Sequence, residues 1–313
     1  PPAYPVQLTG LSQFCATGTN CLTSTAQSNN TIASSGAAGE ALVNFLRGDR
    51  SNEDSSTAPD SAKFFRYRAH VLGDIVTAQP QYVGPPDKAY ADTGYSEFKT
   101  ANASRQGMVY VAANDGMLHA FNATSGNEEW AYIPSLVLPR MYTLADKNYA
   151  NKHQYFVEGT PAIGDVYVGG VWKTILVGGL SGGGTGFYAL DITDPLNPVH
   201  LWEFSDNNMG YTFGNPQITK LDTGAWVVLL TSGYNNCPRL ATTAQQNCAL
   251  NGVGDGLGRL YILNAGDGTQ VTTAISTAVG SVTAPSGLSK IIAQVDGNYV
   301  TTRVYGGDLQ GNL

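Results

Sequence analysis

The residues with the most specific chemistry are four cysteines, which fall as two close pairs, Cys15/Cys21 and Cys237/Cys248. Each pair is flanked by Gly, Asn, Thr or Ser, which suits a disulfide that closes a short polar loop. A zinc site is the alternative, but neither pair has CxxC spacing and no histidine stands at ligand spacing beside them. The sequence therefore favours disulfides Cys15–Cys21 and Cys237–Cys248, and with them the periplasm or the cell surface.

Residues with catalytic potential do not form a recognisable set. The four histidines, His70, His119, His153 and His200, are well separated, and most are interpreted as structural. No GxSxG, HExxH or nucleophile-plus-base pattern occurs, so we do not expect an enzyme. The glycine run 182–184 could bind an anion, but no helix pattern or lysine follows it, and a glycine-rich hairpin is the better interpretation.

Arg47, Gly48 and Asp49 spell the tripeptide that some host integrins recognise, and the polar loop from Asp49 to Asp60 would help to expose it. The structural alternative is a helix that ends at Arg-Gly, with Asp49 starting the next turn. The structural interpretation is favoured, and the three residues stay candidate adhesion residues.

The composition indicates a folded, largely β-sheet protein. The 313 residues are 42% hydrophobic and 13% charged, and they include 37 Gly and 17 Tyr beside 17 Lys+Arg. This balance favours short strands and tight turns over charged helices. A net charge of −7 without a basic cluster argues against binding nucleic acid or anionic lipid. The sequence contains no run of about 18 apolar residues, so membrane insertion is not expected. The start at Pro1 suggests a mature chain or an excised piece.

Three regions follow from the pattern along the chain. Residues 1–37 are expected to be an irregular segment stapled by the first cysteine pair. Residues 38–63 are expected to hold one short helix, over 38–48, and an exposed loop, because Ala41, Leu42, Phe45 and Leu46 recur at helical spacing before Gly48. Residues 64–313 are expected to be blades of a β-propeller.

The propeller prediction depends on internal repetition. Strand, tight turn and strand recur in MVYVAANDGMLHAFNATSGNEEWAYI (108–133), in VWKTILVGGL and GFYALDIT, in AWVVLLTSGY and GRLYILNAGDGTQV, and in TRVYGGDLQGNL. Hairpin turns are predicted at 114–116 and 266–268. Each blade is expected to be preceded by an inner strand that ends in a proline, as in DIVTAQPQYV, FVEGTPAIGDV and TFGNPQITKL. About four blades are visible, so the fold class is all-β, with quinoprotein-like blades and an incomplete ring in this chain.

The ordered series of these segments resembles the C-terminal propeller of the PilC/PilY family of type IV pilus biogenesis and tip-adhesion proteins. The resemblance rests on LVNFLRGDRSNE (42–53), VLGDIVTAQP (71–80), YVAANDGMLHAFNATSGNEEWAYIP (110–134), YFVEGTPAIGDV (155–166), ILVGGLSGGGTGFYALDITDP (175–195), LWEFSDNNMGYTFGNPQI (201–218) and VYGGDLQGNL (304–313). It implies a protein secreted through the periplasm to the pilus tip, with minor pilins and a host-cell or abiotic surface as partners. Such a protein would prime or cap the pilus and promote its extension against retraction.

The resemblance also implies a place for calcium. Family members often carry an EF-hand-like loop shortly before a strand such as VYGGDL, and its carboxylate positions here hold Gln294, Asp296, Asn298 and Thr302. One carboxylate among neutral oxygens makes a poor calcium loop, so weak binding through Asp296 and Asn298 competes with a plain hairpin turn, which is favoured. No other cofactor is expected.

Two function classes remain. The first is the binding and assembly protein of the pilus that the resemblance implies. The second is a quinone-dependent dehydrogenase, whose propellers share the DG-x-LHAF type of repeat. That enzyme class typically has a vicinal cysteine pair, whereas no two cysteines are adjacent here. The pilus role is therefore favoured.

Overall fold

Strands dominate the structure, a computed structural model that describes residues 38–60, 63, 65–236 and 254–313. In these ranges, three four-stranded antiparallel sheets are followed by a two-stranded sheet. Strands within each four-stranded sheet pair in chain order, which is the meander of a propeller blade. The predicted all-β propeller fold is confirmed, and the described blades do not close into a ring.

The strands are bounded as follows. Blade 1 contains β1 (Gln81–Val83), β2 (Met108–Ala113), β3 (Met117–Asn122) and β4 (Glu128–Tyr132). Blade 2 contains β5 (Ala162–Val168), β6 (Val171–Gly179), β7 (Phe187–Asp191) and β8 (Val199–Phe204). Blade 3 contains β9 (Gln217–Lys220), β10 (Trp226–Thr231), β11 (Arg259–Asn264) and β12 (Ile275–Ser276). The final hairpin contains β13 (Ile291–Val295) and β14 (Thr301–Gly306).

Both predicted hairpin turns are present. Asn114, Asp115 and Gly116 connect β2 to β3, and Asp115 Oδ1 accepts a hydrogen bond from the backbone N–H of Met117 at 3.2 Å. After β11, the N–H of Gly268 donates to the carbonyl of Asn264 at 2.9 Å and closes the second turn. Short polar residues that bond the local backbone explain why these turns are visible in the sequence.

The position of the prolines corrects one prediction. Pro80, Pro161 and Pro216 each stand directly before the first residue of β1, β5 and β9, and they do not end the inner strand. Proline has no N–H to donate to a ladder, so the strand can begin only after it. Strands β5 and β9 are nevertheless inner strands, because β5 lies against β9 and β9 lies against β13.

Two hydrophobic cores fill the spaces between blades. Strand β7 contributes to both, because successive side chains point to opposite faces. Tyr188 and Leu190 belong to the core shared with blade 1, whereas Phe187 and Ala189 belong to the core shared with blade 3. Equivalent tryptophans in the outer strands bond to the next blade: Trp130 Nε1 donates to the carbonyl of Pro195 at 2.8 Å, and Trp202 Nε1 donates to that of Ala265 at 3.1 Å.

Helices are more numerous than the sequence predicts. Helix α1 spans Ala38–Leu46 and so ends two residues before the predicted limit. A second helix, α2 (Tyr95–Ala101), and two 3-10 segments, Ser135–Ala145 and Tyr149–Asn151, were not predicted. No side chain caps the start of α2, and its Tyr95 is buried, so packing rather than local sequence stabilises it. Within the described ranges, no helix has the length and apolarity that crossing a membrane requires.

The connection between β1 and β2, residues 84–107, is here called the β1–β2 insert. It leaves blade 1 and contacts every other sheet. Toward blade 2, Tyr95 donates to Asp165 Oδ2 at 2.6 Å. Toward blade 3, Lys220 Nζ lies 2.6 Å from Asp92 Oδ1, and the Tyr90 ring lies 4.7 Å from that of Tyr299 in the final hairpin. The insert therefore links sheets that are distant in the chain.

Candidate functional site

The Arg-Gly-Asp tripeptide lies at the end of α1. Gly48 has a φ of 105°, which favours glycine, and the N–H of Asp49 donates to the carbonyl of Asn44 at 2.9 Å. Asp49 accepts bonds from the N–H and hydroxyl of Ser51, and these bonds lower its pKa. The tripeptide thus has the structural role of a helix end, and the side chains of Arg47 and Asp49 are exposed. Its role in adhesion stays a prediction.

The proposed calcium loop is the turn between β13 and β14. Asp296 Oδ1 accepts the backbone N–H groups of Asn298 at 2.8 Å and Val300 at 3.0 Å, so it is already used by its own turn. Thr302 donates its hydroxyl to the carbonyl of Gln294 at 3.1 Å. The residues do not fit a calcium site well, since the single carboxylate would have to give up those bonds. In the described part of the chain, no three His, Cys, Asp or Glu side chains are arranged to hold a metal.

The predicted disulfides, Cys15–Cys21 and Cys237–Cys248, lie outside the described residues and stay predictions. The glycine run 182–184 forms the connection from β6 to β7, as predicted. A methyl group at Gly183 would overlap the carbonyl oxygen of Phe156, which explains why this position carries no side chain.

His119 is buried in β3 between two carboxylates. Its Nδ1 lies 2.6 Å from Glu128 Oε1, and its Nε2 lies 3.1 Å from Asp115 Oδ2. Burial alone would lower the pKa of His119, but the bonds to Asp115 and Glu128 outweigh it and raise the pKa to about 9. The imidazole is therefore charged at neutral pH and acts as a structural cross-link, which agrees with the interpretation from sequence.

A cleft of about 620 Å³ lies on blade 1 and is not evident from the sequence. We call it the blade 1 cleft. Ligand pockets in proteins typically occupy about 300 to 1,000 Å³. Its walls come from the end of α1, from the segment 66–74 before β1, from the β2–β3 turn and from the 3-10 segments. Its lining residues are Phe45, Leu46, Arg66, Arg68, Ala69, His70, Val71, Leu72, Gly73, Asp74, Asn114, Asp115, Leu144, Tyr149 and His153.

A polar network forms part of the wall of this cleft. His153 Nε2 lies 3.0 Å from Asp74 Oδ1, and Asn114 donates its amide to Asp74 Oδ2 at 2.8 Å. The carboxyl of Glu158 also lies next to Asn114, and burial raises its pKa. Glu158 Oε1 is buried without a hydrogen-bond partner among the described residues. The arrangement can bind and orient polar groups, and it lacks a nucleophile that a base could activate.

The sequence carries only an indirect signal for the cleft. The segment 66–76 is rich in apolar and charged residues but lacks the alternation of a strand, and it precedes the first blade. Its contacts reach residues far along the chain, since Arg66 packs against Tyr149 and Asp74 against His153. Periodicity within the segment cannot reveal such contacts.

Comparisons with known proteins agree with this fold. A family model described as the PilY1 beta-propeller domain matches residues 72–313. The chain is 37% identical over 287 residues to the type IV pilus biogenesis factor PilY1 of Pseudomonas aeruginosa strain PAK, covering 88% of this chain and 22% of that protein. It is 36% identical over 283 residues to a PilY1 homolog of Xylella fastidiosa, covering 87% and 21%. The chain thus spans less than a quarter of the length of these curated relatives.

A solved structure leads to the same family. The crystal structure of the Pseudomonas aeruginosa PilY1 C-terminal domain matches with a TM-score of 0.57 and 32% sequence identity, and the match covers 74% of this chain and 44% of that one. The resemblance to the PilC/PilY family is therefore confirmed. Because the matching family model covers the blades and most of the chain, this chain belongs to the PilY1 beta-propeller family, whose curated members named above are type IV pilus biogenesis factors.

Proposed function

We propose that this chain is the propeller part of a secreted type IV pilus biogenesis factor that acts at the pilus tip. There it primes or caps the fibre, favours extension over retraction, and contacts minor pilins. The observation that carries the proposal is 36% to 37% identity, over 87% to 88% of this chain, to proteins named as pilus biogenesis factors.

The character of the structure supports a binding role. Propellers present many loops on a rigid set of blades, and such loops commonly carry recognition residues. The named relatives are biogenesis factors, which favours a protein without enzymatic activity. They give no support to the quinone-dependent dehydrogenase alternative, and an absorbance spectrum of the purified chain would reveal a bound quinone if that alternative held.

The biogenesis role can be tested by deleting the gene in the bacterium that carries it. We expect far fewer surface pili by electron microscopy, and we expect the full-length gene to restore them. A matched gene lacking residues 72–313 should be exported but should not restore pili. Normal piliation in the deletion strain would contradict the proposal, and so would full rescue by the gene without the propeller.

Attachment to host cells is the second part of the proposal, and it is supported by the exposed side chains of Arg47 and Asp49. The double variant Arg47→Gln, Asp49→Asn removes both charges while Asn still accepts the bonds of the turn. We expect unchanged pilus numbers and reduced attachment to integrin-bearing cells. The control variant Arg303→Gln, Asp222→Asn changes two other exposed residues. If both variants attach like the wild type, the tripeptide is not the adhesion site.

A further inference from the structure

Arg66 is held at the wall of the blade 1 cleft in a fixed orientation. Its guanidinium lies 4.5 Å above the Tyr149 ring, and its Nε donates to the carbonyl of Leu144 at 2.5 Å. These two contacts fix the plane of the guanidinium and leave its two terminal nitrogens directed elsewhere. Arg66 is therefore positioned before any ligand arrives, which lowers the entropy cost of binding.

The terminal nitrogens of Arg66 have neither a hydrogen bond nor an ion pair with any of the described residues. Two other arginines that are at least partly buried differ in this respect: Arg68 pairs with Glu53 at 2.5 Å, and Arg259 pairs with Asp255 at 2.6 Å. In the described ranges, side-chain nitrogen and oxygen atoms that are both buried and without a hydrogen-bond partner occur only at four residues other than Arg66. The terminal nitrogens of Arg66 have no partner and are not among these atoms, so they are not sealed inside the protein. They are therefore accessible to solvent, and Arg66 is one of the residues that line the cleft.

The carboxylates that line the cleft are already engaged. Asp74 binds His153 and Asn114. Asp115 binds His119 and accepts the N–H of Gly73 at 2.8 Å. Arg66 thus carries a positive charge in the cleft that no carboxylate among the described residues contacts. Burial lowers the pKa of Arg66, because the charge is partly removed from water. A bound carboxylate would restore the lost hydrogen bonds.

The rim of the cleft is apolar and exposed. Val71 and Leu72 are 40% and 41% exposed. Exposed apolar side chains continue on both sides of them in the chain, at Tyr67 before and at Ile75 and Val76 after. Exposed apolar side chains grouped along one segment in this way favour an interaction site. Because these exposed residues continue along the chain on both sides of Val71 and Leu72, a bound segment that continues past the cleft would cover more of them than a chain end would.

We propose that the blade 1 cleft binds a peptide segment of a partner protein in which an acidic side chain lies between apolar residues. The carboxylate accepts hydrogen bonds from the terminal nitrogens of Arg66, and the apolar neighbours cover Val71 and Leu72. A carboxylate fits better than a phosphate, because Asp74 and Asp115 would repel a doubly charged group more strongly. This inference goes beyond the proposed function and does not depend on it.

The test compares two fluorescently labelled peptides that differ in one group, acetyl-Ala-Leu-Asp-Leu-Ala-amide and its Asn counterpart. With the full chain, we expect the Asp peptide to bind at least tenfold more tightly at low salt, and we expect the preference to shrink in 0.5 M salt because the ion pair is screened (about 10 Å Debye length at 0.1 M). A third probe, acetyl-leucine with a free carboxylate, tests for capture of a chain end. Equal binding of the two peptides would overturn the inference, and so would binding of acetyl-leucine alone.

Variants assign the preference to Arg66. Arg66→Gln should remove the preference for the Asp peptide, whereas Arg66→Lys should keep part of it. Arg303→Gln, which changes an exposed arginine on β14, should keep all of it. Thermal unfolding of each variant checks that it is folded. A preference that survives in folded Arg66→Gln would contradict the inference, and the salt dependence of the wild type tests it without any substitution.

Discussion

His119 shows how one side chain can make the stability of a blade depend on pH. Only 5% of its surface is exposed, and both ring nitrogens face carboxylates, those of Asp115 and Glu128. Its pKa in the folded protein is about 9, compared with about 6.5 in an unfolded chain. The folded state therefore binds the proton more tightly, and the stabilising effect is present while the imidazole is charged.

The expected result follows from this difference. The contribution of His119 is complete below about pH 6.5 and is lost as the pH rises toward about 9. We expect a loss of about 2 kcal/mol over that interval, less than the pKa difference alone implies, because the half-exposed Glu128 is screened by water. Urea unfolding between pH 6 and 9.5 measures it. His119→Gln should flatten the profile, whereas His70→Gln, at an exposed histidine, should not. Parallel profiles in all three proteins would contradict the assignment.

Asp296 allows a second prediction at this scale. Because Asp296 Oδ1 already accepts two backbone N–H groups, millimolar calcium should barely shift the thermal stability of the chain. Asp296→Asn keeps one acceptor for the turn and should behave like the wild type with or without calcium. Calorimetry that detects micromolar calcium binding, absent in Asp296→Asn, would establish a metal site at this turn.

Among the elements, the connection from β6 to β7 depends on a close approach of two backbone segments. Gly183 lies against the carbonyl of Phe156, and Arg140 also donates to the carbonyl of Gly183. We expect Gly183→Ala to destabilise the chain by about 2 kcal/mol, because the backbone must move to accept a methyl group. Gly297→Ala is the matched control, since Gly297 has open space around it. Equal melting temperatures for the two variants would show that the loop adapts freely.

The elements also show what a sequence can predict. The hairpin at Asn114, Asp115 and Gly116 was predictable, because its residues bond their own backbone and need no distant partner. Helix α2 was not, because Tyr95 is stabilised by Asp165, 70 positions away in the chain. The pattern of seven residues is too short to predict a helix without that contact.

The candidate site was less predictable than the fold. Arg47, Gly48 and Asp49 were found as a tripeptide, and the structure shows that they end a helix. The blade 1 cleft was not found, since its walls join Arg66 to Tyr149 and Asp74 to His153. Repetition reveals blades because each blade repeats locally, whereas a cleft depends on where irregular segments cross.

For the whole molecule, the β1–β2 insert is expected to make the blades unfold together. Tyr90 packs its ring on Trp172 of blade 2, on Trp226 of blade 3 and on Tyr299 in the turn of the final hairpin. Tyr90→Ala should cost about 2 kcal/mol, because a large ring is removed from a partly buried contact. Hydrogen exchange should then speed up in β10 and β14.

The matched control is Tyr167→Ala, since the Tyr167 ring contacts the Trp172 ring alone among the described aromatic pairs. That variant should leave the exchange of β10 and β14 close to the wild type. If both variants behave alike, the insert does not couple the sheets.

The insert also has a consequence for mechanical load. The covalent connections between blades lie in series, so tension applied across them would separate one blade after another. The insert joins blade 1 to the final hairpin directly, through Tyr90 and Tyr299, and so lies in parallel with those connections. We expect single-molecule pulling across residues 81–306 to show one high-force rupture in the wild type and several smaller steps in Tyr90→Ala. A protein tethered at the end of a fibre under tension would then respond as one elastic unit until the insert detaches.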